Sequence, residues 1–291
     1  TLTVTELQSG STLNLGKFNF TDTSSEIDLD LADATGTSDS LTVGLDIFET
    51  GTTDAGTVDL LDVTGIESVT INLSSSDTDV TTATISGVDA GDATSVTLTG
   101  GVITTATVDG AATHTVDATA ITAATTLVAS ADIQTLKGSS TAATTFTMST
   151  NLNNADTIEG GAATTDSLTA TIDGLDATTG ALNISGVETV ALTGSSSASS
   201  LDLSSVTGMT TLALAGSVDQ TITNLTSGTT IQLDDGASSP TAFTGTLDVS
   251  LADSSSSSDA LTVQLTGTGT GNSTLDGSNI ETLYLSGADD A

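Results

Sequence analysis

Apolar and polar residues alternate with a period of two along most of this chain. Ile27, Leu29 and Leu31, then Leu41, Val43 and Leu45, then Val69, Ile71 and Leu73 fill every second position, and clusters of Thr, Ser, Asp and Gly separate the groups. Such alternation places the apolar side chains on one face of an extended strand. The intervening clusters are turn formers, so the pattern predicts short strands joined by polar turns. No stripe at i, i+3, i+4 and i+7 is sustained, and Thr, Ser, Val and Gly are poor helix formers. Across residues 77–148 the inward positions turn to small residues, which predicts a narrow core. The chain reads as all-β.

Residues 31–45, LADATGTSDSLTVGL, recur as residues 251–265, LADSSSSSDALTVQL. A looser copy takes in Ala155, Asp156, Asp166, Ser167, Leu168 and Thr169. Each copy is followed by a second phrase, carried by Ile66-Glu67-Ser68-Val69, Val187-Glu188-Thr189-Val190 and Ile280-Glu281-Thr282-Leu283. The interval from Asp166 to Glu188 equals that from Asp259 to Glu281. Strand centres at Leu168, Val190, Leu212, Ile231, Val249, Val263 and Leu283 follow one another at similar but unequal steps, the shortest being Val249 to Val263. A turn and strand recurring at such intervals build stacked rungs rather than a cleft. The expected fold is a right-handed parallel β-solenoid, β-roll-like, over residues 23–291, with residues 1–22 as a cap or junction. The unequal intervals leave tandem immunoglobulin-like β-sandwiches as the alternative.

Composition narrows the function. Two Lys stand against 37 Asp and Glu, for a formal net charge of −35. Strong acidity with few aromatics ordinarily means disorder, but the mean hydropathy of +0.19 and the persistent alternation favour a packed chain. Nucleic acid and anionic membrane surfaces are excluded as partners, because both need a cationic footprint. Cations are the natural counterpart. The chain has no Cys, which fits export without a disulfide framework, and no apolar run long enough to span a membrane. It begins at Thr1 with neither an initiator Met nor a signal-like apolar stretch, which reads as a processed piece or a segment of a longer protein.

Hard oxygen ligands crowd the turns. Asp28, Asp30, Asp33 and Asp39 share one segment, and Asp253 and Asp259 repeat the last pair. Asp77 and Asp79, Asp89 and Asp92, and Asp234 and Asp235 are further close pairs. Carboxylates two apart on a strand share a face, and in a turn they can converge on one ion, which points to Ca2+. Uncompensated repulsion among so many carboxylates favours divalent binding as well.

The stretch Asn154-Ala155-Asp156-Thr157-Ile158-Glu159-Gly160-Gly161, followed by Asp166, resembles the calcium-binding nonapeptide repeats of exported RTX proteins. That resemblance implies Asp156 as a Ca2+ ligand, Ile158 as a core residue and Asp166 as a ligand of the following turn. Asn154 stands where the family has Gly, and Gly271-Asn272-Ser273-Thr274-Leu275 repeats the cadence with Ser in place of Asp. More broadly, the Thr, Ser, Ala, Gly and Asp-rich text with its recurring Ile-Glu-x-Val phrases resembles surface-layer proteins of the Caulobacter type. Membership would imply a lattice-forming β-solenoid, exported by type I secretion and assembled with Ca2+ at the cell surface.

Catalysis is not indicated. His114 lies between two Thr with no nucleophile or orienting group in pattern, and reads as an ordinary surface or core histidine. Glu67, Glu188 and Glu281 read as a structural repeat position. Thr97-Leu98-Thr99, Thr145-Phe146-Thr147 and Thr221-Ile222-Thr223 raise an ice-binding face, but the intervals between them are unequal, so Thr is read as β-surface filler. The expected function is a non-enzymatic structural subunit of an extracellular surface layer, stabilised by Ca2+ at Asp-rich turns. Its partners would be other copies of itself and a cell-surface polysaccharide. The alternative is the stalk or binding segment of a large secreted adhesin.

Overall fold

The computed structural model describes residues 2–19, 26–48, 55–58, 60–77, 79–234, 242–253, 259–266, 274–278 and 280–287. The chain is a parallel β-solenoid. It divides into two compact units, Thr1–Thr147 with Glu159–Ala163, and Met148–Ile158 with Thr164–Ala291. Strands pair in parallel throughout both units. Immunoglobulin-like sandwiches are antiparallel, so that alternative is ruled out.

In the first unit the chain shuttles between two sheets. One sheet is laid down in the order Leu2–Leu7, Glu26–Leu31, Leu60–Thr64, Thr82–Asp89, Ile103–Asp109, Thr125–Val128 and Thr144–Ser149. The facing sheet runs Ser11–Asn19, Ser40–Phe48, Ser68–Ser74, Ser95–Gly100, Thr113–Ile121 and Ile133–Lys137. The opening segment expected as a cap or junction therefore supplies a rung, with Leu2 opposite Ile27 and Leu13 opposite Val43.

In the second unit one sheet contains Ser167–Thr171, Thr189–Gly194, Thr211–Gly216, Thr230–Asp234, Ala260–Thr266 and Thr282–Gly287. Another contains Ser199–Asp202, Gln220–Leu225, Thr246–Leu251 and Thr274–Ser278, and Asn183–Ser185 pairs with Val206–Thr207 on a third face. The only helix among the described residues is one 3-10 turn, Ala177–Thr179.

Alternation produces the core directly. Strand Ser40–Phe48 buries Leu41, Val43, Leu45 and Ile47 and leaves the residues between them half-exposed. Stacking then lines up equivalent residues: Leu168, Val190, Leu212, Ile231 and Val263 form one column. Each fully buried Leu, Val or Ile contributes roughly 1.5–3 kcal/mol over its exposed state, so columns of this kind hold consecutive rungs together. Val249 lies on the other sheet, beside Ile222, which is why its spacing from Val263 looked irregular. Rung length varies, from the short step between paired Thr211 and Thr230 to the much longer one between paired Ile27 and Leu61, while the strands stay in register. In the first unit Ala83, Ala93, Ala106 and Ala118 are buried, giving the narrow core that the sequence predicts.

Close stacking places demands on the backbone. Gly100 and Gly216 have φ of 123° and 105°, and a Cβ there would fall 1.9 Å from the Leu73 carbonyl oxygen and 1.8 Å from that of Gly194. Both glycines pack against a carbonyl one rung away, where only hydrogen fits. Replacing Gly216 with Ala should lower stability by about 1–3 kcal/mol from backbone strain alone, with further loss from the clash. Thermal unfolding of G216A checks this; an unchanged midpoint would mean that the rungs do not pack this closely.

Candidate functional site

The repeated phrases come together at the corners between strands. The backbone N–H of Asp39 donates to Glu67 Oε2 at 2.7 Å, across one rung. The N–H of Asp166 donates to Glu188 Oε2 at 2.8 Å, across the interval that the sequence repeats. In return the carbonyl of Asp39 accepts from Ser68 N–H, that of Asp166 from Glu188 and Thr189, and that of Asp259 from Glu281 and Thr282. The next rung repeats the step, as Thr94 and Ser95 donate to the Glu67 carbonyl and Thr210 and Thr211 to that of Glu188. The Asp and Glu of the paired phrases thus occupy consecutive rungs, and the Glu side chain satisfies a turn N–H that no strand partner reaches.

Other carboxylates do similar work. Asp46 accepts from Ser76 N–H at 2.6 Å, Asp92 from Gly65 N–H at 3.0 Å and Asp219 from Thr246 N–H at 2.7 Å, each across a rung. Asp173 accepts from the N–H groups of Ser195 and Ser196 and from the Ser195 hydroxyl. The Ser196 N–H, followed by the Ser195 hydroxyl and N–H, holds its carboxyl far below the usual range. Asp202 is lowered by the Asn224 side chain and then the Ser204 N–H.

The predicted ligands fall into distinct environments. Asp28 and Asp30 are half-exposed on the outer face of Glu26–Leu31, and Asp30 lines a cavity of about 480 Å3 with Glu6 and Gly65. Asp33 and Asp39 line a second cavity, of about 300 Å3, with Gln8, Ser9, Thr35 and Gly36. Asp33 Oδ1 accepts from Thr35 Oγ1 and N–H, a bond pair that lowers its pKa, whereas Asp39 Oδ2 is buried without a hydrogen-bond partner. Asp156 is 2% exposed, and its Oδ2 accepts from Asn153 N–H at 2.9 Å while its own N–H donates to the Asn153 carbonyl. Its carboxylate closes its own turn, and Ile158 is a core residue. Asp166 and Asp259 are 1% and 4% exposed, Asp259 Oδ2 has no hydrogen-bond partner, and Asp253 is exposed. Among the described residues no three Asp, Glu or His side chains converge as a ready-made metal cage. Asp235 and residues 271–273 lie outside the described residues.

One arrangement is absent from the sequence-based expectations. Asp28, Asp62, Asp89 and Asp109 stand opposite one another on successive strands of one sheet, forming a column of carboxylates. Adjacent strands are about 4.8 Å apart, so the charges repel. Burial, then the charges of Asp89, Asp28, Asp30 and Glu26, raise the pKa of Asp62, whose Oδ1 is buried without a partner. Asp109 is raised by burial, then by a hydrogen bond to Asp132 and the charges of Asp132 and Asp89. A column of this kind can take up protons or divalent cations. A signal for it exists in the sequence: each member follows an aliphatic residue within a strand, in Ile27-Asp28, Leu61-Asp62, Val88-Asp89 and Val108-Asp109.

His114 is a core residue. Its Nδ1 lies 2.8 Å from the Ala111 carbonyl, so that nitrogen carries the proton, and the ring packs where a Cβ on Gly110 would sit. The Thr-x-Thr segments occupy three different sheets, so they share no common face. No helix among the described residues is long and apolar enough to cross a membrane. Comparison with known proteins finds no matching family, no matching curated protein and no matching solved structure.

Two outcomes follow for the corner carboxylates. Glu188→Ala leaves the Asp166 N–H unsatisfied and should cost about 1–3 kcal/mol, read by denaturant unfolding; a cost indistinguishable from that of an exposed Glu→Ala control would contradict the clasp. Asp173 has a lowered folded pKa, so its contribution is complete above the unfolded value and fades as pH falls below about 4. The gap in melting temperature between D173N and the parent should therefore be full at neutral pH and shrink on acidification, and a gap constant with pH would contradict the assignment.

Proposed function

We propose that this chain is a non-enzymatic structural segment of an extracellular surface assembly, a building unit of a surface layer in which Ca2+ neutralises the carboxylate turns. The observation that carries this reading is the use made of the most strongly repeated text: its Asp and Glu residues serve rung-to-rung stacking. A chain whose recurring signature maintains a stack is organised as scaffold.

For the cation, the buried oxygens of Asp39 and Asp62 that lack a hydrogen-bond partner support these two places. Asp33 lines the cavity beside Asp39, and Asp28 and Asp89 flank Asp62 in the column. Ca2+ needs about six to eight oxygen ligands, so water and carboxylates of neighbouring copies would complete the shell. A place outside the cell, reached by type I secretion, accords with the missing Cys and with the surface-layer resemblance. A cell-surface polysaccharide remains a candidate anchor.

Negative-stain imaging across a Ca2+ titration, with EGTA as control, tests the proposal. Ordered sheets or filaments should appear with Ca2+ and disperse in EGTA, and the melting temperature should rise with Ca2+ as ligand binding to the native state requires. Dispersed particles in both conditions, with an unchanged melt, would overturn it in favour of an adhesin stalk.

A further inference from the structure

The two compact units place their carboxylates differently. In the first, strand register stacks Asp28, Asp62, Asp89 and Asp109 along four successive strands of one sheet. In the second, two outward columns of the sheet through Thr189–Gly194 are uncharged. One runs from Ser167 through Thr189 and Thr211 to Thr262, the next from Thr169 through Ala191 to Gln264. Asp173 and Asp202 of this unit lie instead where several donors reach them.

The groups facing the column are almost all of one sign. Asp62 stands between Asp28 and Asp89, with Glu26 and Asp30 adding charge from the neighbouring strand, and its Oδ1 is buried without a hydrogen-bond partner. Asp109 meets Asp89 on one side and Asp132 on the other, and its side chain is hydrogen-bonded to that of Asp132. Two carboxyl groups form such a bond only when one of them carries a proton. His114 acts on Asp109 in the opposite sense when it is charged. A proton on Asp62 removes a charge from the middle of the column and turns an acceptor-only group into a donor toward the adjacent strands, about 4.8 Å away.

We propose that the column of Asp28, Asp62, Asp89 and Asp109, with Asp132, is a proton-operated brace of the first unit: protonated, it ties successive strands together, and ionised, it pushes them apart. The brace goes beyond the surface-layer reading and does not rest on it, because protons and not Ca2+ operate it. Its sign follows from the environment. Burial and like charge raise Asp62 and Asp109, so their contribution is complete below the ordinary carboxylate value, about 3.9, and is lost as pH rises through the raised ones. Asp173 and Asp202 are lowered, and their contribution is complete above that ordinary value. On acidification from neutral pH the first unit therefore tightens before the second weakens.

Hydrogen exchange of the full chain in EGTA, read by mass spectrometry between about pH 7 and pH 5 and corrected for the intrinsic pH dependence of exchange, provides the test. Protection over Leu60–Thr64, Thr82–Asp89 and Ile103–Asp109 should rise on acidification at least about twofold more than protection over Thr189–Gly194 and Thr211–Gly216. Asp62→Asn and Asp109→Asn, each close in size to a protonated Asp, should raise protection of the first unit at neutral pH and remove most of its gain, with circular dichroism confirming that both are folded. Asp276→Asn, which drops one exposed charge from the second unit, should do neither. An equal gain in both units would assign the effect to the overall charge and overturn the proposal. A first unit that gains nothing, or whose gain survives both substitutions, would overturn it too.

Discussion

A stack of parallel rungs depends on continuing its backbone hydrogen bonds through the corners. Strand backbones are satisfied by the rungs on either side, but where the chain turns from one sheet to another the ladder breaks off. An unpaired buried N–H costs about 1–3 kcal/mol, a cost that bears on the part-buried N–H groups of Asp39 and Asp166, whereas at the exposed corners water competes for the donor. This protein meets it with carboxylates. Glu67, Glu188, Asp46 and Asp219 each take a turn N–H from a neighbouring rung, and Asp173 takes a cluster of them. A carboxylate is suited to the task because it only accepts, has several lone pairs and makes stronger bonds than a neutral acceptor. The acidity of the chain is thus a by-product of its architecture as well as a route to solubility.

The same acidity sets a limit. Two unit charges about 5 Å apart repel by roughly 1 kcal/mol in water-like surroundings and by ~3 kcal/mol at an effective dielectric of 20. A hydrogen bond to a charged group contributes about 1.5–3 kcal/mol, enough to offset one close neighbour but not several. Asp173 and Asp202, each with several donors, are held below the ordinary carboxylate range. The column through Asp62 and Asp109 has too few donors for its charge, and its pKa values move upward. The signs of the pH dependence are opposite. Corner contributions fade as pH falls through the lowered values, whereas the column's contribution is present below the ordinary carboxylate value and is lost as pH rises through the raised ones. At neutral pH the repulsion within the column therefore opposes the folded state.

Much of the fold was legible in the sequence, because alternation and stacking are both local signals. Ile27, Leu29, Leu41, Val43, Val69 and Ile71 are buried where the period of two places them, and the Asp166 to Glu188 interval is one full rung. The unequal intervals misled where they were read as loss of register, since insertions lengthen turns without disturbing the ladders. Val249 sits on a different sheet from Ile231 and Val263, a distinction that spacing alone does not carry. The site was harder. Asp156 has the cadence of a ligand, and the structure adds a contact that cadence does not carry, the Asn153 N–H donating to its Oδ2. Asp62, Asp89 and Asp109 share a sequence signal, an aliphatic residue before each Asp, but unequal rungs hide that they align, and strand register is what brings them into one column.

The distribution of chemistry over the surface bears on how copies of such a chain can meet. Two outward faces that carry Asp28, Asp62 and Asp89 repel each other, and salt screens that repulsion. On the proposed reading, a divalent cation shared between two such faces would offset that repulsion.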